Sequence, residues 1–183
     1  MPPGPALGTT PAVSSYGGDL RVAEERPSCA FAFRPDLALL LWGRGITPEE
    51  AQLWAKTVRR EVGASPCLGC IVWLTGLPAS TPTDEVRTVI ARIIGQAPSS
   101  FVGLHYVVEG DGFGSSIARS VITGLNLMAK PTLPVRVHQS VAEAMTSLAR
   151  DLGWSADDVS TITGGIEALR VDWATRGGTP IGS

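Results

Sequence analysis

The stretch Ser100-Phe-Val-Gly-Leu-His-Tyr-Val-Val-Glu-Gly-Asp-Gly-Phe-Gly-Ser-Ser-Ile-Ala-Arg-Ser-Val-Ile-Thr-Gly-Leu-Asn-Leu-Met-Ala-Lys130 decides the fold. Its first part, Phe101 to Val108, is rich in β-branched and aromatic residues and predicts a strand buried on both faces. Gly110, Gly112 and Gly114 then allow backbone angles closed to other residues, so a turn follows. Ile117, Val121, Leu125 and Met128 come next at helical spacing and predict one buried stripe. Leu133 to His138 supplies the returning strand of a βαβ unit.

Working outward, the same alternation recurs. Cys29–Phe33 and Leu37–Trp42 flank the turn signal Pro35-Asp36 and read as a hairpin. Thr47-Pro-Glu-Glu50 has a capping hydroxyl, Pro at the first helical position and acids against the dipole, so a helix runs from there to about Val62. Leu53, Trp54, Val58 and Val62 mark its buried face, while Lys56, Arg59 and Arg60 face water. Cys67 to Leu74 is a central strand, and Thr83-Asp84-Glu85 opens a helix with Val86, Val89, Ile90, Ile93 and Ile94 inward. Two further helices, Val141 to Leu152 and roughly Asp157 to Trp173, close the chain. The expected class is α/β: a mixed, mostly parallel sheet of about five strands with covering helices. Residues 1–27 are expected to be a disordered Pro/Gly/Ser-rich tail, 28–152 the domain, 153–175 a helical extension and 176–183 a flexible tail.

Composition narrows the function. With 44% hydrophobic and 17% charged residues the chain has material for a core. A formal net charge of −2, with basic residues scattered among acids, argues against a nucleic-acid reader. No run approaches the ~20 apolar residues of a membrane span. The start lacks a signal-peptide pattern, so a cytoplasmic protein with no membrane insertion is expected.

The order of elements resembles the STAS family and its bacterial antisigma-factor-antagonist-like relatives, in which an antiparallel strand pair leads into βα units. The local text that looks STAS-like is Gly45-Ile-Thr-Pro-Glu-Glu50, Ile71-Val-Trp-Leu-Thr-Gly76 and Val137-His-Gln-Ser-Val-Ala-Glu-Ala144. The resemblance covers about Cys29 to Leu152. It implies a non-enzymatic regulatory or scaffolding module that binds another protein. It also implies a phosphorylation switch at the loop-to-helix junction, here Ser80, Thr81 or Thr83. The family's Asp at the strand end and its Ser-Ser-Gly-like helix opening are replaced by Trp73 or Leu74 and a turn without Gly.

Other motifs in the chain point to different chemistry. The turn Gly110-Asp-Gly-Phe-Gly114, with Ser115 and Ser116 behind it, is a candidate phosphate or small-ligand site on a helix N-terminus. Its spacing departs from the dinucleotide fingerprint, Asp111 opposes an anion, and glycine's steric freedom already accounts for it. Cys67-Leu-Gly-Cys70 precedes a strand rather than capping a helix, so buried structural thiols are expected over a redox pair or a metal site. His105 and His138 have no nucleophile motif beside them and are expected as partly buried, hydrogen-bonded residues, leaving no catalytic residue and no cofactor. Finally, small residues line one side of the helix after the glycine turn, and its apolar residues exceed one face. Ile117, Arg119, Ser120, Ile122, Thr123, Asn126 and Leu127 are therefore expected at the interface of a homodimer or a heteromeric complex.

Overall fold

The computed structural model describes residues 15–43, 46–62, 68–74, 82–110 and 112–178. Their strands are β1 (Ser15–Tyr16), β2 (Leu20–Glu25), β3 (Cys29–Arg34), β4 (Leu37–Trp42), β5 (Leu68–Leu74), β6 (Phe101–Val108) and β7 (Val135–His138). The helices are α1 (Pro48–Val62), α2 (Asp84–Gly95), α3 (Phe113–Ala129), α4 (Val141–Leu152) and α5 (Ala156–Thr175). One sheet holds all seven strands in chain order, antiparallel from β1 to β4 and parallel from β4 to β7.

That order places the helices. Right-handed crossovers that all step the same way along a sheet put their helices on one face. Accordingly α1, α2 and α3 form one layer, burying Trp54, Val58, Ile90, Ile94, Ile122 and Leu125 against Phe31, Leu40, Val72 and Tyr106. On the opposite face α4 and α5 bury Met145, Leu148, Ile162, Ile166, Leu169 and Trp173 against Leu39, Leu41, Ile71 and Trp73. Neighbouring residues of β3, β4 and β5 thus serve two different cores, which is why these strands read as continuous apolar runs.

The helix starts follow the sequence chemistry. In α1 the Glu50 amide donates to Thr47 Oγ1 at 3.2 Å while Glu50 Oε2 accepts from the Thr47 amide at 2.8 Å, a reciprocal cap. Ser155 with Asp158 repeats the arrangement at α5, while at α4 Ser140 Oγ accepts from the Glu143 amide and Glu143 Oε2 accepts from the Gln139 amide.

Three expectations need correction. The sheet has seven strands rather than five, because residues 15–25, read as tail, form β1, a short 3-10 turn and β2. Leu20 is fully buried, and Arg21 pairs in register with Phe33. The signal was weak because β2 is half-exposed and intersperses Arg21, Glu24 and Glu25 with its inward residues. Second, α5 is no appendage: Ile162, Ile166, Leu169 and Trp173 are each 0% exposed. Trp173 Nε1 donates to the Arg26 carbonyl at 2.8 Å, and the Tyr16 hydroxyl donates to Asp172 Oδ2 at 2.5 Å. The segment expected as a flexible tail from 176 begins with Arg176 paired to Glu25 at 2.8 Å and includes the buried Gly178. Third, α3 is rotated relative to the predicted stripe: Ser115, Ala118, Ile122 and Leu125 are buried, and Met128 is 56% exposed. Two apolar stripes compete on this helix, and the one with small Ser115 and Ala118 lets its axis approach the sheet.

Among the described residues no helix is long and apolar enough to cross a membrane.

Candidate functional site

The glycine turn sits where β6 ends and α3 begins. Gly110 (φ 84°) and Gly112 (φ 143°) both hold left-handed backbone, and a Cβ at either would meet nothing within 4 Å. Conformation, then, rather than close approach, is what glycine provides there. Gly112 is the N-cap of α3 and offers no side chain to the first-turn amides. The two serines do not offer their hydroxyls outward: Ser115 Oγ and Ser116 Oγ donate to the Gly112 carbonyl at 2.9 and 3.0 Å. Ser115 is itself buried. Burial raises the pKa of Glu109 beside the turn, with Arg170 countering it. Asp111 lies outside the described residues, and so do Ser80 and Thr81 of the proposed phosphorylation loop. Thr83 is the N-cap of α2, its Oγ1 accepting from the Val86 amide at 3.3 Å.

The histidines meet across β6 and β7, under α4. Their rings stack 3° from parallel with centroids 5.1 Å apart, and His105 Nδ1 lies 2.9 Å from His138 Nε2. Burial lowers the pKa of His105 to about 4, and burial also lowers that of His138, so both are neutral near pH 7. His105 Nε2 is buried without a partner. The arrangement is least costly if His105 Nδ1–H donates, leaving Nε2 a bare acceptor rather than a buried orphan N–H. Among the described residues neither histidine is hydrogen-bonded to a serine or cysteine.

Cys70 lies in β5 and Cys29 in β3, both buried and free, with thiol pKa values raised to about 12, first by burial. Neither is a thiolate at neutral pH. Cys67 lies outside the described residues. Among the described residues no group of three His, Cys, Asp or Glu side chains is placed to hold a metal ion.

The residues expected at an interface separate in space. Ile122 is 3% exposed and belongs to the core of α3, a correction, because the second apolar stripe is the one that faces the sheet. Ile117, Arg119 and Asn126 are half-buried, and Arg119 Nη2 and Asn126 Oδ1 have no hydrogen-bond partner despite being buried. Ser120 and Thr123 are exposed, their hydroxyls donating to the Ser116 and Arg119 carbonyls at 2.9 Å. Leu127 is 73% exposed, next to Met128. Val137, on the outermost strand β7, is 42% exposed.

One feature had no legible signal. Between α1 and α2, above β4 to β6, lies a cavity of about 370 Å³. Lys56 and Arg59, read from sequence simply as solvent-facing, stand at it together with Arg92 of α2. Such a space depends on how far two helices splay, which periodicity does not encode.

No protein-family model matches the chain, and no curated protein or solved structure matches it.

Proposed function

We propose that this chain is a non-enzymatic, STAS-like regulatory or scaffolding module that acts by binding protein, a second copy of itself in the simplest case. The observation that carries the reading is the flank formed by α3 and β7. There Leu127 and Met128 are largely exposed, and among the described residues β7 ends the sheet, with Val137 exposed and no strand paired to its outer edge. An exposed edge of this kind is a template for pairing, and closed two-fold pairing is the commonest way to cover one self-complementary patch.

Sedimentation and chemical crosslinking test this. The wild type should behave as a dimer, and Leu127→Glu with Val137→Lys should give a monomer with an unchanged melt. A wild type that is strictly monomeric and yields no crosslinked partner in its native lysate overturns the reading.

The alternative is a phosphate-bearing ligand on the Gly110–Gly114 turn, drawn from the uncapped N-terminus of α3. The hydroxyls of Ser115 and Ser116, both already donating to the Gly112 carbonyl, and the carboxylate of Glu109 weigh against it.

A further inference from the structure

We infer that the cavity between α1 and α2 is a binding site for a monomeric, single-chain amphipathic carboxylate, a fatty acid, with the chain inside and the carboxylate at the mouth. This inference is independent of the α3–β7 surface, since no residue of α3 or β7 lines the cavity.

The interior is apolar. Its floor is the sheet, where Cys70, Val72 and Leu104 point into the α1–α2–α3 layer, and its walls are Trp54 on α1 with Ile90 and Ile93 on α2. Ala51, Ala55 and Cys70 are small where their neighbours are large, and this leaves the space open. The pocket is open to solvent on the side of Lys56, Arg59 and Arg92 and has a volume of about 370 Å³. It falls within the ~300–1,000 Å³ of small-molecule sites.

The mouth is cationic. Lys56 and Arg59 on α1 and Arg92 on α2 all line it, and all three side chains are exposed. Among the described residues none of the three is in an ion pair. Three uncompensated cations around an apolar hole complement a ligand with an anionic head and an apolar body. Deeper in, Tyr106 is 2% exposed and lines the cavity, so its ring adds to the apolar wall. A free monomer is favoured over a bilayer because the exposed apolar side chains Phe113, Leu127, Met128, Val137 and Val171 belong to α3, β7 and α5, not to the rim.

Calorimetric titration of the full chain with sodium dodecanoate below its micelle concentration tests this, with dodecanol and butyrate as controls. One dodecanoate should bind per chain and butyrate should not. The triple variant Lys56→Glu, Arg59→Glu, Arg92→Glu alters only exposed side chains. It should weaken dodecanoate on the order of tenfold, the sum of three surface ion pairs, while leaving dodecanol unchanged. Ala55→Trp should fill the cavity and abolish both, and Ile93→Trp is the second filling variant if the first does not melt cooperatively. Absence of dodecanoate binding overturns the inference, as does binding that both filling variants leave intact. Equal affinity in the triple variant overturns the carboxylate assignment. Co-sedimentation with phosphatidylglycerol vesicles without uptake of monomer would move the function to a membrane surface and overturn it too.

Discussion

Gly164 and Gly165 are adjacent in α5, and their surroundings make them opposites. A Cβ on Gly165 would stand 2.2 Å from the carbonyl oxygen of Gly17, because the 3-10 turn between β1 and β2 lies directly on the helix there. A Cβ on Gly164 would meet nothing within 4 Å. Gly164→Ala should therefore raise stability by about 0.5–1 kcal/mol, the helix-propensity gain. Gly165→Ala should lower it by about 1–3 kcal/mol, because backbone rather than a flexible side chain must give way. Urea melts of the two single variants check the signs. Equal effects would mean that the Gly17 turn does not rest on α5. The histidine pair makes a second prediction at this scale. With its folded pKa about 4 against 6.5 for an ordinary histidine, His105 binds fewer protons folded than unfolded between those values. Its contribution to stability is full above about pH 6.5 and is lost as pH falls toward 4, at up to about 1.4 kcal/mol per pH unit for one proton. His138, also lowered, acts in the same direction. Melts from pH 7 to pH 4 should show this slope in the wild type and a flatter one in His105→Gln. Matching slopes would place the acid sensitivity elsewhere.

At the level of elements, what was legible depended on whether a segment's pattern had one solution. The helix starts at Thr47, Thr83 and Ser155 were readable because each end pairs a capping oxygen with the amides it must satisfy. The inner strands β3, β4, β5 and β6 were readable because burial on both faces leaves them almost wholly apolar, with Arg34 at the end of β3 and His105 inside β6 as exceptions. Strand β2 was not, since its exposed side carries the charges that clamp it: Arg21 to Glu61 on α1, and Glu25 to Arg176 after α5. Those partners are 40 and 151 residues away along the chain. Helix α3 was half-legible. Its existence and bounds follow from the glycine turn and the apolar spacing, but two stripes compete and only the tertiary fit of Ser115 and Ala118 selects between them. The candidate sites divided the same way. Residue types and spacing placed His105 and His138 on neighbouring strands, whereas the cavity between α1 and α2 arises from helix separation and has no local signature.

Over the whole molecule, the sheet is a partition between two cores, and each must be closed by its own helices. The α1–α2–α3 layer follows from crossovers that step one way across β4 to β7. Nothing in that rule covers the other face, so α4 and α5 must return beneath it. Helix α4 reaches β5 and β6, while α5 closes the end formed by β1 and β2. The chain thus completes its second core only in its last helix, which joins its N-terminal strands. Trp173 fastens to the Arg26 carbonyl and Tyr16 to Asp172. Ending the chain after Gly153 would strip Ile162, Ile166, Leu169 and Trp173, all fully buried, from the sheet. At about 1.5–3 kcal/mol for each large apolar side chain, the loss is about 6–12 kcal/mol. That rivals the entire ~5–15 kcal/mol stability of an ordinary domain. Such a truncated protein should lose its cooperative urea transition and bind a hydrophobic dye, even though every strand is retained. Separately expressed residues 154–183 should restore the transition when added back, since the face they cover would still be exposed. A truncated chain that melts cooperatively without them would show that β1 to β7 and the first four helices close both cores alone.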